Sequence, residues 1–390
     1  MIQIIDPKDC CGCTACASVC PQHAITMEPD VLGFLYPKVN NGKCVDCGLC
    51  DKVCQFSPEY DRSYNLSLAD AYAVRHKDIN EIMNSRSGAA FVALSDYVLE
   101  HSGVVYGVGY EDHFRAVHKR AVTKEERDEF RKSKYVQSDL KDVFRQVKED
   151  LKNGCLVLFS GTPCQTSGLR SYIGKSLQDN LLLVDIVCHG VPSPYVWRDY
   201  LDYVEKLKGE KAKVVNFTDK ALFGWHIHKE SILFGSNDIY TSASFKYLFY
   251  KHVMLRRSCG ICHFTNLTRP SDITIGDFWG WQKSVPGFND DDKGVSLVLV
   301  NTEKGRSLFE KIKSELEVRQ VILENCLQPN LMHPSKEHPD RDKFEADFGR
   351  MDFRHIMDKY GDTGWRYKVS EFKKKVKGKL RRIKKRVLRK

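Results

Sequence analysis

Residues 10–21 read CCGCTACASVCP and residues 44–54 read CVDCGLCDKVC. Both contain C-x2-C-x2-C-x3-C: Cys10, Cys13, Cys16 and Cys20, then Cys44, Cys47, Cys50 and Cys54, with every cysteine of the first run repeated 34 residues later. The segment is therefore an internal duplication. Three thiols within seven residues, followed by a fourth, suit an inorganic core with several metal corners. A single zinc ion more often takes two short cysteine hooks, and a secreted scaffold pairs its thiols as disulfides.

The spacing is that of two-cluster bacterial ferredoxins, and Pro21 completes the C-x3-C-P signature of the first run. In such ferredoxins the fourth cysteine of each run ligates the other cluster. Cys10, Cys13, Cys16 and Cys54 are thus expected around one 4Fe-4S cluster, and Cys44, Cys47, Cys50 and Cys20 around the second. Gly12 and Gly48 let the loops fold close to the inorganic sulfurs. Cys11 is left over and is not expected to be a ligand.

The chain has 390 residues, enough for two or three domains, and 15 cysteines, which in a reducing compartment read better as metal ligands than as disulfides. No apolar run reaches membrane-span length and no signal-peptide pattern opens the sequence, so a cytoplasmic protein is expected. The formal net charge of +10 is concentrated at the end: residues 373–390 carry 12 Lys or Arg and no acid, leaving 49 basic against 51 acidic residues elsewhere. That nearly neutral body argues against a specific nucleic-acid partner. Val376, Leu380, Ile383 and Val387 fall on one helical face of the tail, a basic amphipathic pattern suited to peripheral contact with an anionic membrane; a solvated tail, or one meeting nucleic acid without specificity, is the alternative.

Residues 1–57 form the expected α+β ferredoxin-like domain, and 58–69 a polar linker. From 70 to 330, strand-like runs at 104–110, 155–160, 181–188 and 295–300 alternate with helical patterns at 91–101, 140–153 and 195–209, which predicts an α/β domain with a largely parallel sheet. A helix is expected over 302–317, a helical C-terminal extension over 331–372, and the amphipathic tail over 373–390. Ligands belong in loops at the carboxyl ends of the strands, where Cys164 and Cys188 fall. Together with Cys259 and Cys262 they make four cysteines for one possible metal site. CGICH (259–263) also matches a haem c attachment motif and, as CGIC, a thioredoxin-type pair, but neither suits the expected compartment and position. His333 and His338 fit a solvated loop better than a metal site. No G-x-G-x-x-G fingerprint is present.

With SRSGAAFVAL (85–94), KSKYVQSDL (132–140), FSGTPCQTSGLR (159–170), DIVCHGVPSP (185–194) and CGICHFTNLTRPSDITIGDFWG (259–280), the chain resembles the coenzyme F420 hydrogenase/dehydrogenase beta-subunit family over roughly residues 1–300. The resemblance implies FAD in the α/β domain and a third 4Fe-4S cluster on Cys164, Cys188, Cys259 and Cys262. It also implies coenzyme F420 as substrate and a redox partner protein or carrier. For FAD, Ser85, Arg86, Ser87 and Gly88 offer hydroxyls, a guanidinium and backbone N–H groups ahead of a helix; Lys134, Tyr135, Gln137 and Ser138 add a cation, an aromatic face and polar groups; Gly161 and Thr162 sit at a strand-to-helix junction suited to pyrophosphate. His189, His226, His228 and Asp277 are candidates for proton delivery. The expected protein is a flavin-dependent iron-sulfur oxidoreductase. The alternatives are a non-catalytic electron-transfer subunit, or a relative that reduces a sugar or isoprenoid intermediate at the membrane.

Overall fold

The computed structural model describes residues 1–62, 69–365, 367 and 369; part of the expected linker (63–68) and the whole expected amphipathic tail lie outside the described residues. In the N-terminal unit the duplication builds two short helices, Ala15–Val19 and Leu49–Lys52, each entered through a residue in the left-handed conformation, Thr14 at φ 63° and Gly48 at φ 70°. Between them an antiparallel hairpin pairs β1 (Ile25–Pro29) with β2 (Leu35–Val39). Asp30 closes its turn by accepting from the backbone N–H groups of Leu32 and Phe34, both at 2.9 Å.

The second domain is α/β. Its main sheet holds β3 (Asp70–His76), β4 (Val104–Glu111), β5 (Arg115–Ala121), β6 (Val157–Gly161) and β7 (Leu181–Ile186). A separate three-stranded antiparallel sheet follows, β8 (Ala212–Asn216), β9 (Glu230–Phe234) and β10 (Ile239–Ser242), and then β11 (Ile273–Asp277), β12 (Ser296–Val300) and β13 (Leu316–Val321) complete the main sheet. The main sheet runs in the order β13-β3-β12-β11-β7-β6-β4-β5. Strands β11, β7, β6 and β4 are mutually parallel and β3 shares their direction, so five of the eight strands run one way, with β12, β13 and β5 antiparallel to their neighbours.

Side-chain alternation explains why these runs are strands with two buried faces. Leu158, Leu182 and Val184 pack on one face with helices Ala90–Glu100 and Glu303–Ile312, while Val157, Phe159, Leu181 and Leu183 pack on the other with helices Val143–Lys152 and Pro163–Ile173. The helix expected over 302–317 stops at Ile312. After the turn Lys313–Glu315, the sequence LEVRQV alternates in burial and becomes edge strand β13, paired with β3. At the hairpin tip, Leu32 and Phe34 enter the same core as Trp197, Phe245 and Phe344, so the N-terminal unit and the α/β domain share buried apolar surface.

Candidate functional site

All fifteen cysteines are free thiols. Cys20 lines one small cavity together with Cys44, Cys47 and Cys50, while Cys10, Cys13 and Cys16 line a second with Cys54. Each quartet thus takes its fourth thiol from the other half of the duplication. Backbone N–H groups point at these sulfurs: Ile2 N donates to Cys50 Sγ and Ala24 N to Cys20 Sγ, both at 3.3 Å. Among the described residues no three thiol sulfurs lie within 4.8 Å of one another.

The four later cysteines meet in the α/β domain. Cys164 lies in the first turn of helix Pro163–Ile173 after β6, Cys188 follows β7, and Cys259 sits in the helical turn Arg257–Ile261 that ends at Cys262. A bridge between Pro192 and Leu255 ties the second loop to the third. Val191 N donates to Cys259 Sγ at 3.4 Å and Phe264 N to Cys262 Sγ at 3.5 Å. Burial, then the charges of Cys259, Cys164 and Cys262, push the Cys188 thiol well up, and burial pushes Cys259 up to about 12 and Cys262 to about 11. Three thiols that resist ionisation unless a metal takes the proton's place, with Cys164 beside them, form a donor set that fits an iron-sulfur cluster.

The loop cysteines adjoin the first quartet through residues that the sequence reading missed. The Cys11 thiol is hydrogen-bonded to Cys13 and Cys164, which holds Cys11 protonated and lowers Cys164 to about 7. Gln55 Nε2 donates both to Cys11 Sγ at 2.9 Å and to the Cys164 carbonyl at 3.0 Å. Cys13 packs so closely on helix Pro163–Ile173 that a Cβ at Gly168 would lie 2.7 Å from its sulfur. Phe56 meets the His263 ring at 4.9 Å. A buried ion pair, Arg269 to Asp185 at 3.0 Å with both side chains 0% exposed, braces the loop after Cys262 against β7. The sequence signal for these residues is that Gly168, Asp185, His263 and Arg269 fall inside the motifs at 159–170, 185–194 and 259–280.

At the carboxyl ends of the parallel strands lies a cavity of about 480 Å³. Its wall takes Ser85, Arg86, Ser87, Lys134, Tyr135, Ser138, Gly161 and Thr162 from the expected FAD set, and Cys188 and His189 from the loop after β7. Ser85 Oγ is buried there without a hydrogen-bond partner, as fits a wall built for a polar ligand. Lys134 donates to the carbonyls of Glu129 and Arg131, and burial lowers it to about 7.

Two expected residues stand elsewhere. Gly88 packs against β3, where a Cβ would meet the Val74 carbonyl at 2.2 Å, and its N–H donates to Ser296 Oγ. Gln137 turns away from the large cavity, donates to the Cys11 carbonyl at 2.9 Å and accepts from Arg256 at 3.0 Å. Its side chain has both a donor and an acceptor, and the two cysteine loops supply the matching partners.

The proton-delivery candidates separate likewise. Asp277 is engaged by Arg86 at 3.2 Å and by the Trp225 indole N–H at 2.9 Å, so it orients the guanidinium. His228 lies in the cavity wall, 2.9 Å from Arg86 Nη2 and 2.6 Å from the Tyr250 hydroxyl. Arginine only donates, so His228 Nε2 accepts and Nδ1 carries the proton toward Tyr250. Burial first, then Arg86, lowers His228 to about 3. His189 contacts His252, Nε2 to Nε2 at 2.7 Å, and His252 Nδ1 reaches the Lys336 carbonyl at 2.8 Å, a hydrogen-bonded path leading away from the cavity. His226 is exposed, pairs with Asp292 and is not part of the cavity wall.

A ferredoxin-type cysteine unit docked on an α/β domain defines an iron-sulfur oxidoreductase. Residues 9–57 match the family model for a 4Fe-4S dicluster domain, and residues 155–323 match the model for the C terminus of the coenzyme F420 hydrogenase/dehydrogenase beta subunit. Residues 155–323 are thus similar to the C-terminal part of that beta subunit, and they stand behind a 4Fe-4S dicluster segment in the same chain. Among solved structures it is similar to a chain of the F420-reducing [NiFe] hydrogenase complex from Methanosarcina barkeri, with 17% identity, 76% of this chain and 92% of that chain covered, and a TM-score of 0.45. No curated protein matches it significantly. No helix among the described residues is long and apolar enough to cross a membrane.

Proposed function

We propose that this chain is a flavin-dependent iron-sulfur oxidoreductase that exchanges electrons between a reduced two-electron carrier, coenzyme F420 or a substrate of similar use, and a redox partner protein. The division is a ferredoxin-type unit over 1–57, a linker over 58–69, a cofactor domain over 70–330 and a helical extension over 331–372. The first two clusters would be held by Cys10, Cys13, Cys16 and Cys54, and by Cys20, Cys44, Cys47 and Cys50. The third would be held by Cys164, Cys188, Cys259 and Cys262. Ser85, Arg86, Ser87, Lys134, Tyr135, Ser138, Gly161 and Thr162 would hold FAD. When bound, FAD supplies hydride chemistry and the clusters supply one-electron steps.

The observation that carries this reading is the shared wall: Cys188 lines the same cavity as Arg86, Tyr135 and Thr162. A ligand seated there lies against the metal loop. Arg86, fixed by Asp277 and His228, presents a cation to an anionic or electron-rich group. Tyr135 and Trp279 give it aromatic walls, and His189 with His252 can move a proton between the cavity and the outside.

At the opposite end Cys47 is exposed beside Val45 and Leu49, which are 63% and 38% exposed, a natural place for an external carrier to dock. Anaerobic iron, sulfide and flavin analysis of the purified chain, with spectra before and after reduced coenzyme F420, tests the proposal. About twelve irons, one FAD and bleaching of the flavin by that coenzyme are expected. The same cofactors without bleaching move the search to another substrate, and about eight irons without flavin leave an electron carrier.

A further inference from the structure

Arg256 is 1% exposed, and among the described residues its guanidinium pairs with no carboxylate. Burying a cation outside any ion pair is unfavourable, so a native protein keeps one where a negative charge will face it. Its partners all belong to the seam between two thiol sets. Nε donates to the Cys10 carbonyl at 2.8 Å, Nη2 to Cys10 Sγ at 3.4 Å and to the Leu35 carbonyl at 2.9 Å, and Nη1 to Gln137 Oε1 at 3.0 Å. The guanidinium also sits 4.3 Å from the centre of the Tyr36 ring.

The backbone of the same residue holds the other set: Arg256 N donates to the Val191 carbonyl and Cys259 N donates to the Arg256 carbonyl, each at 3.0 Å. Gly12 is shaped to this side chain, since a Cβ there would lie 2.8 Å from Nη1. The glycine in the first cysteine loop therefore serves the arginine as well as the cluster.

We infer that Arg256 is a shared counter-cation for the first N-terminal cluster and the inner cluster, a positioning residue that raises the reduction potentials of both together. The inference rests on the three-cluster reading above. A thiolate-ligated 4Fe-4S cluster is anionic and gains a further negative charge on reduction, so a fixed cation favours the reduced form of each cluster it faces. A common bias moves the two potentials together and leaves the driving force for one-electron transfer between the two clusters unchanged. The quartet of Cys20, Cys44, Cys47 and Cys50 lies outside the guanidinium's contacts.

The test is an anaerobic redox titration of the full holo chain, followed by electron paramagnetic resonance, for wild type and Arg256→Met. At the ambient potential that half-reduces each wild-type cluster, the oxidised-to-reduced ratio of the two flanking clusters should rise at least tenfold in the variant, equivalent to 59 mV for a one-electron couple. The cluster on Cys20, Cys44, Cys47 and Cys50 should stay within a factor of about three. Arg256→Lys, which keeps the charge, should restore most of the shift. Should the methionine variant fail to fold, Gln137→Glu sets an anion against Nη1 and should move the same two clusters in the same direction. Unmoved potentials, a shift in one flanking cluster only, or an equal shift in all three overturns the inference. An iron content near eight in the wild type instead overturns the three-cluster reading, which separates the two failures.

Discussion

The two halves of the cysteine duplication have the same spacing and opposite surroundings. The first half is pressed into the α/β domain: Cys10, Cys11 and Cys16 are buried, Gln55 and Arg256 bond to its loop, and Gly168 leaves room for Cys13. The second half faces outward: Cys47 is exposed, Val45 stands in solvent, and nothing lies within 4 Å of where a Gly48 Cβ would be. The difference teaches that a ligand motif sets which metal core suits the loop, while the packing around it sets whether that loop faces the α/β domain or solvent. Substitutions that act on one half and spare the other are the way to break that comparison.

The largest effect is expected at the inner brace. Arg269→Met would strand Asp185, whose carboxyl burial already pushes upward despite the guanidinium beside it. Removing one partner of a fully buried ion pair costs about 3–5 kcal/mol. Denaturant unfolding should show that loss, and iron analysis should show the loop-cysteine site emptied first. On the outer half the corresponding charges are the N-terminal amine with Asp46 at 3.1 Å and Asp51 at 2.9 Å, in solvent. Asp46→Asn should leave the unfolding midpoint unchanged. Equal losses from the two substitutions would refute the contrast.

The glycines sharpen the same contrast at smaller scale. A methyl at Gly168 would meet Cys13 Sγ at 2.7 Å and Cys13 Cβ at 2.8 Å, atoms fixed by their own loop. Gly168→Ala should cost about 1–3 kcal/mol as overpacking and loosen the first quartet. Gly48→Ala meets no atom and carries only the strain of φ 70°, about 1 kcal/mol. Thermal unfolding with cluster absorbance at each step should rank Gly168→Ala below Gly48→Ala. The reverse order would mean that the seam between the domains is looser than the packing indicates.

Much of this is legible in the sequence, because spacing and alternation are local. The C-x2-C-x2-C-x3-C runs depend only on short loops, and LLLVDI or SLVLV declare two-faced burial wherever they stand. What stays hidden depends on long-range placement. Arg256 lies 246 residues from Cys10, to which it donates. Gln137 reads as a member of the FAD loop beside Tyr135 and Ser138, and only when Cys11 and Arg256 arrive from two other segments does its side chain find other partners. Cys11 looks surplus because no local pattern shows that Cys164 packs on it. The edge strand β13 reads as helix because EKIKSELEV keeps apolar residues at helical spacing as far as Leu316, and only pairing with β3 decides the matter.

Acid should also separate the two regions, with an effect that grows gradually. His118 is 3% exposed on the inner side, its Nε2 hydrogen donated to the Ser160 carbonyl at 3.1 Å and its Nδ1 accepting from Ser138 at 2.9 Å. Burial, only partly opposed by the bond to Ser160, lowers it to about 4. An unfolded histidine titrates near 6.5. Between those values the unfolded chain binds the proton and the folded chain does not, so stability is full above about 6.5 and falls as the pH drops toward 4, by up to about 1.4 kcal/mol per unit. His228, held near 3, adds to the slope in the same direction. His118→Gln should therefore flatten part of the decline in unfolding midpoint between pH 7 and pH 5 and leave a remainder from His228. The outer half carries its histidine, His23, on the surface. An unchanged slope in His118→Gln would show that acid acts elsewhere than at the buried wall of the cofactor domain.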